Sequence, residues 1–428
     1  MVGLSAAGPR PGSGAAEEGP TAGSRAPLSV LVVEFLPSGG MFQFSYLFGR
    51  ALAAAGHDVT LLTGPRPEVS STSVGFRLDG SLPTWHPNEG LEATGLRRKL
   101  RRGLRALQLA RAWGRVLVQV RRTRPDIVQF GELRYPLDAA ALLVVGRLGG
   151  ARAVVDVAHN PVPYDVSSAD QPVEKSGRLG RALLARAYRT SDLVLVLGEG
   201  PREELLKEFP GVRRTAVCGH GEYSDLVAQH DGQPPSATPP AALFFGAWTK
   251  YKNIPLLLDA FTLVRDRRPD ARLTLAGPVM PDVDLDAITA QASTVGNVDL
   301  QPGYVAIEDL PDLFDRHRLV VFTYATVNIS GSVHMAYTFG RPVVATRVGA
   351  MADAVHHDET GLLADPTPEA VAEAMLALLH DPALADRLGR GARSYADQQS
   401  SWSAVADKAA VAYRDVLTGP ARAPVGLT

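Results

Sequence analysis

The chain has 428 residues, of which 45% are hydrophobic, 21% charged and 7% aromatic, enough apolar material for two or three domains of about 100–200 residues. Lys and Arg number 44 against 45 Asp and Glu, a formal net charge of -1, which excludes capture of nucleic acid by whole-chain charge. One cysteine, Cys218, excludes a disulfide framework and any multi-cysteine metal site, and no stretch approaches the ~18 apolar residues of a transmembrane helix, so a soluble chain of a reducing compartment is expected.

Residues 1–26 are rich in Gly, Ala, Pro and Ser, lack the basic start and apolar run of a signal peptide, and are expected to be a disordered tail. Order is predicted to begin with a strand at Leu28-Ser-Val-Leu-Val-Val-Glu, closed by the loop Pro37-Ser-Gly-Gly40. Phe44, Leu47, Phe48, Ala51, Leu52 and Ala55 then recur at helical spacing, Gly56 stops the helix, and Asp58 to Thr63 reads as a second strand. Strand, glycine loop, helix and strand make a βαβ unit and imply a parallel sheet. Glycines in such a loop let backbone N–H groups approach a phosphate, although turn chemistry alone also explains them.

From Leu96 to Arg115 lies the sharpest charge anomaly, with no acid from Ala93 to Pro125. Leu96, Leu100, Leu104 and Leu107 share one helical face there. Three readings stay open: an ordinary helix packed on its sheet with a solvated basic face, contact with an anionic membrane, or attraction of an acidic acceptor. Val154-Val-Asp-Val-Ala-His159 is an apolar strand that ends on a histidine, where a doubly wound domain places its chemistry. A capped loop histidine is the plainer alternative. A segment rich in Gln, Pro, Gly and Ser, Ala228 to Pro240, reads as a linker.

The same grammar then restarts. Ala242 to Phe245 is a strand, Gly246 opens a loop carrying Lys250 and Lys252, Ile254 to Val264 is helical, and Arg272 to Gly277 is the next strand. Two lysines after a strand and its glycine can neutralise a diphosphate, though loop lysines are commonly only solvated. Leu319 to Phe322 leads to Ser330-Gly331-Ser332, which opens a helix whose N–H groups suit a phosphate. Gly340 ends that helix, Pro342 precedes another strand, and Trp402 to Leu417 is the last helix. The organisation expected is α/β with two doubly wound, Rossmann-like domains, 27–230 and 236–395, an interdomain cleft, and a helical tail 396–418 returning to the first domain.

Taken together these residues resemble family 4 glycosyltransferases, which have the GT-B fold. The resemblance rests on Gly39-Gly40 with Gly56-His-Asp-Val59, His159, Ser191-Asp-Leu-Val-Leu-Val, Gly219-His-Gly221-Glu-Tyr223 and Phe245-Gly with Tyr251-Lys252. It continues through Ala336…Gly340-Arg-Pro-Val-Val-Ala-Thr346, Gly349-Ala-Met-Ala-Asp-Ala-Val355 and Thr360-Gly-Leu-Leu. It implies retaining, metal-independent sugar transfer from a nucleotide diphosphate sugar, most simply a UDP-sugar, with no separate cofactor. By it the carboxy-terminal domain holds the donor and the amino-terminal domain the acceptor, a glycan, lipid-linked or small-molecule hydroxyl.

Carried over, the donor residues are Gly39, Gly40, Gly246, Lys250, Lys252, Ser330, Gly331, Ser332 and Met335. His159 lies against the donor sugar, and His159 and Lys252 form the catalytic pair. Two glutamates common in such enzymes fall at Val327 and Met335, neither of which accepts a hydrogen bond through its side chain. The usual basic residue after the strand glycine is Ala247, and Asp353 stands where several relatives have a glutamate. A catalytically silent GT-B protein that supports a partner enzyme is therefore the alternative expectation. A cytoplasmic location is expected, with peripheral contact to the inner membrane face through 96–122 as one option.

Overall fold

The computed structural model describes residues 26–70, 72–85, 95–131, 133, 136–161, 164–165, 173–174, 178–227, 232–326 and 330–419. The expected disordered tail, apart from Ala26, and Val327 lie outside them.

In chain order the amino-terminal lobe runs β1 Ser29–Val33, α1 Gly40–Ala54, β2 Asp58–Leu62, β3 Phe76–Asp79, α2 Gly95–Thr123, β4 Ile127–Phe130, α3 Pro136–Leu148 and β5 Ala153–Ala158. The two-residue antiparallel pair β6 Tyr164–Asp165 and β7 Val173–Glu174 follows, then α4 Arg178–Thr190, β8 Leu193–Val196, α5 Glu199–Glu208 and β9 Thr215–Val217. Among the described residues the main sheet has seven parallel strands in the order β3-β2-β1-β4-β5-β8-β9. Val30 pairs with Val59 on one side and Ile127 on the other, so the order reverses between β1 and β4.

The carboxy-terminal lobe runs β10 Ala241–Phe245, α6 Ile254–Arg267, β11 Arg272–Gly277, α7 Leu285–Val295, β12 Val298–Pro302, α8 Leu310–Asp315, β13 Leu319–Phe322 and α9 Gly331–Thr338. It ends with β14 Val343–Thr346, α10 Met351–Ala354, β15 Gly361–Ala364, α11 Pro368–His380, α12 Pro382–Gln399 and α13 Trp402–Thr418. Its six strands are parallel in the order β12-β11-β10-β13-β14-β15, and the reversal falls between β10 and β13. A sheet covered by helices on both faces needs apolar strands throughout, and β4, β8, β13 and β14 are buried at every position.

One apolar cluster continues from the α1 side of the first sheet through Tyr223, Trp402 and Val405 into the second lobe. A separate cluster fills the opposite side of the first sheet, beneath α2, α3 and α4. The last helix returns to the first lobe: Tyr413 donates its hydroxyl to Oε1 of Gln129, and Arg214 donates to the Asp415 carbonyl at 3.0 Å.

Helix α2 packs on its sheet through Leu109, Ala112, Trp113, Val116 and Val120, whereas Leu100, Leu104 and Leu107 of its leucine face are exposed. Trp113 decides the rotation: its ring packs on Phe35 and Phe130, and its indole N–H donates to buried Asp138 at 2.8 Å. The expected linker is not free along its length. Residues 228–231 lie outside the described set, but the Ser236 N–H donates to Asp386 at 2.7 Å, and Arg341 and Arg318 donate to the carbonyls of Gln233 and Thr238.

Candidate functional site

In an open parallel sheet the strand ends diverge at the reversal point, and the crevice left there is where ligands sit. In the second lobe that point lies beyond β10 and β13, and it collects Gly246, Lys252, Tyr324 and the start of α9. Gly246 leaves β10 at φ +114°, a conformation that side chains disfavour. A Cβ there would sit 2.6 Å from Nζ of Lys252 and 2.8 Å from Oγ of Ser332, so glycine is required for these two groups to converge.

Lys252 ends a short 3-10 turn, Lys250–Lys252, just before α6. Thr323 fixes that turn by donating its hydroxyl to the carbonyls of Lys252 and Asn253 at 3.2 and 3.1 Å, and the Ala325 N–H donates to the Tyr251 carbonyl at 2.7 Å. Lys252 is only 5% exposed. Its ammonium lies 5.4 Å from the Tyr324 ring centre and 5.7 Å from that of Phe244, a weak cation–π setting. Among the described residues no carboxylate comes within ion-pair distance of it. Burial pulls its pKa down to about 7, so the neutral and charged forms are nearly balanced at physiological pH.

Helix α9 begins directly opposite. Ser330 is its N-cap residue but makes no capping bond with its side chain; its hydroxyl lies 3.3 Å from that of Tyr324. The first N–H groups of the helix therefore have no side-chain acceptor at Ser330, and they point their partial positive charge toward the lysine. A buried cation, a serine hydroxyl and an uncapped helix start, with no anion among the described residues to pair with, form an anion-binding arrangement.

The second group of side chains lies where the lobes meet. His159 follows β5, is buried, and meets the Phe44 ring edge-on at 4.5 Å. Phe44 also touches His220 at 5.3 Å, and His220 stacks on His334 of α9 at 4.7 Å and 11°. Burial holds His220 down to about pKa 4, although its bond to the Gly221 carbonyl opposes this, and burial with the neighbouring His220 holds His334 well below its ordinary value. Both rings are therefore neutral at pH 7. A Cβ at Gly331 would lie 2.8 Å from the Tyr223 hydroxyl and 3.3 Å from Nε2 of His220, so the α9 start passes close to this cluster.

The remaining predicted residues have other surroundings. Lys250 is exposed, with its backbone N–H donating to Asp282 at 3.1 Å. Met335 is buried in the apolar core of its lobe. Gly39 and Gly40 open α1, but the Gly39 N–H already donates to Oε2 of Glu68 at 3.1 Å. Tyr304, from the loop after β12 in the other lobe, donates its hydroxyl to Oε1 of the same carboxylate, and Gln43 donates to that hydroxyl at 3.3 Å. Glu68, Tyr304, Tyr324, Phe44, His220 and His334 were not singled out from sequence. His220 had a signal in the Gly219-His-Gly221-Glu-Tyr223 string, Tyr324 and His334 flank the Ser330-Gly331-Ser332 turn, and Phe44 was read only as an apolar helix position. Among the described residues no three His, Cys, Asp or Glu side chains are grouped to hold a metal, and no helix is long and apolar enough to cross a membrane.

Two family models match the chain in sequence. Residues 38–221 match Glycosyltransferase Family 4, and residues 239–381 match Glycosyl transferases group 1. D-inositol 3-phosphate glycosyltransferase of Pseudarthrobacter chlorophenolicus is 36% identical over 169 residues, 38% of this chain and 40% of that protein. Glycogen synthase of Mycobacterium tuberculosis is 25% identical over 397 residues, 88% and 91% of the two chains. The chain thus spans less than half of the first of these relatives. Sucrose-phosphate synthase from Thermosynechococcus elongatus superposes with a TM-score of 0.68 at 19% identity, over 92% of this chain and 99% of that one. HepE of Anabaena, solved with UDP and glucose, gives 0.64 at 14% identity over 91% and 100%.

Proposed function

Because the chain belongs to glycosyltransferase family 4 and has the GT-B fold, we propose that it moves a sugar from a UDP-sugar to an acceptor hydroxyl, with retained configuration and without a metal. The observation that carries this reading is the convergence of Lys252, Ser332 and the uncapped start of α9 around Gly246. In it the leaving diphosphate lies between the Lys252 ammonium and the first N–H groups of α9. Each charge-assisted bond there is worth about 1.5–3 kcal/mol, and more of it is realised as the phosphate gains charge.

In the proposed step the bond from the anomeric carbon to the β-phosphate oxygen breaks as the acceptor oxygen bonds to the same face. The acceptor proton passes to that departing phosphate oxygen, so no separate carboxylate base is required. His159, which follows β5 and packs on Phe44, is the residue this reading assigns to the acceptor side of the sugar. Neutral His220 and His334 stack between the lobes and fix how α9 sits relative to α1. No observation favours the catalytically silent alternative.

The test is calorimetric titration of the purified chain with UDP, GDP and dTDP, followed by turnover with UDP-sugars. Selective binding of UDP, weakened in Lys252→Ala, is expected. Binding of none of the three would overturn the donor assignment. His159→Ala is expected to lower turnover at nearly unchanged UDP affinity, and unchanged turnover removes His159 from the site.

A further inference from the structure

Helix α2 has two apolar faces. At about 100° per residue, Leu109, Ala112, Trp113, Val116 and Val120 fall on the half that meets the sheet. Leu100, Leu104, Leu107 and Val118 fall within an arc of about 60° on the opposite side, and they are 67%, 55%, 49% and 47% exposed. The exposed Arg111 and Arg122 share that outer side.

The neighbouring helix repeats the arrangement. Leu137, Val144 and Leu148 of α3 lie within about 40° of one another in helical projection, and all three are exposed. On α4, Leu179 is 75% exposed. All three helices cover the same side of the first sheet, over one shared core. Single exposed leucines are ordinary, whereas aligned stripes on adjacent helices form a patch.

Charge is concentrated on the same helices. The sequence places ten Lys or Arg in α2, one in α3 and four in α4, against one acid, Asp138, which is buried on the Trp113 indole. The whole chain is nevertheless balanced at -1, so the positive charge is segregated onto this layer. Apolar side chains pointing outward between cations match an interfacial surface, where leucines enter the acyl boundary and arginines meet anionic headgroups. A soluble polyanion would use the arginines and gain nothing from the leucines.

We propose that the α2–α3–α4 face of the amino-terminal lobe docks on an anionic lipid bilayer. The interaction is peripheral and rests on surface side chains. It does not depend on the sugar-transfer reading.

The test is co-sedimentation of the full chain with vesicles of phosphatidylcholine alone or with about one third phosphatidylglycerol, at low and raised salt. Binding only to the anionic vesicles, weakening with salt, is expected. Leu104→Asp with Leu107→Asp should lower the partition coefficient at least about tenfold, and Arg111→Gln about fivefold. All three positions are exposed or face solvent, so melting temperature and UDP affinity should stay at the parent values. Failure here with intact UDP binding thus separates this proposal from the functional one. No binding to anionic vesicles overturns it. So does anionic binding that the leucine pair does not change, which would mark a plain polyanion site. A concentration-dependent dimer dissolved by the leucine pair would also overturn it, since a second copy would then cover the face.

Discussion

Two helices start at the cleft, one from each lobe; neither has a side-chain cap, but the charges beside them differ. At α1 the Gly39 N–H is already bound by the Glu68 carboxylate, which is itself tied to Tyr304 of the other lobe. At α9 the Ser330 side chain makes no capping bond, and the buried Lys252 amine converges with Ser332 of the first turn at Gly246. A helix start supplies about half a positive charge in either case. What separates the two is the neighbour: a carboxylate satisfies the first and repels a second anion, while a lysine leaves the other in need of one. Glycines alone, present at both starts, do not tell an occupied helix end from an available one.

The strongest way to break that comparison is to remove the lysine. Lys252→Ala should weaken UDP binding about 10- to 100-fold and uridine binding less than about threefold, as expected for the loss of one charge-assisted contact. Calorimetry with both ligands checks it; equal losses would make Lys252 a structural residue. Next in size is Gly246→Ala. The added methyl meets Nζ of Lys252 and Oγ of Ser332 and must also accept φ +114°. We expect about tenfold weaker UDP binding and a stability loss of about 1–3 kcal/mol in thermal or urea unfolding.

Much of this was legible in the sequence because the elements obey simple periodicities. Strands β11 and β13 fall at the predicted residues, since an apolar run flanked by a glycine or a charged turn leaves little freedom. Lys252 was legible by its place after a strand and a glycine. Its burial was not, because that depends on Thr323, 71 residues further along, and on its neighbour Tyr324, both arriving from the end of β13. The histidine stack was hidden for the same reason: Phe44 joins His159 to His220 within the first lobe, but His334 reaches His220 only by the packing of the second lobe on the first. On α2 the leucine spacing marks one face, but the sequence leaves open whether that face meets the sheet or the surroundings. Composition cannot say which of two apolar faces meets the sheet until Trp113 finds Asp138.

A pH measurement sharpens the lysine half of the comparison. With its pKa held near 7 in the free protein, Lys252 is mostly neutral at pH 8, and a bound diphosphate should draw a proton onto it. Titrations at pH 8 in buffers of different ionisation enthalpy are expected to show uptake approaching one proton, absent in Lys252→Ala. The sign for folding follows from the same shift. The unfolded lysine holds its proton up to about pH 10.5 and the folded one loses it near 7, so the cost of burying the charge is fully present below pH 7. It is relieved as pH rises from 7 towards 10.5, and the parent should lose more stability than Lys252→Met on acidification through that window.

The smallest effect tests the other helix. Glu68→Gln keeps a group that can accept from the Gly39 N–H and meet Tyr304, but removes the negative charge from the α1 start. If the two helix ends differ only in their neighbours, this change makes α1 a second electropositive end facing the cleft. An anion at a helix start is worth about 0.3–1 kcal/mol, so UDP should bind about two- to fivefold more tightly, an increase that shrinks with added salt. Unchanged affinity would place the α1 start beyond reach of the diphosphate in the bound state. Weaker affinity would mean that the Glu68 carboxylate contributes by holding the Gly39 loop and the Tyr304 loop together. The asymmetry would then be one of architecture rather than of charge, and a Tyr304→Phe variant should reproduce the loss.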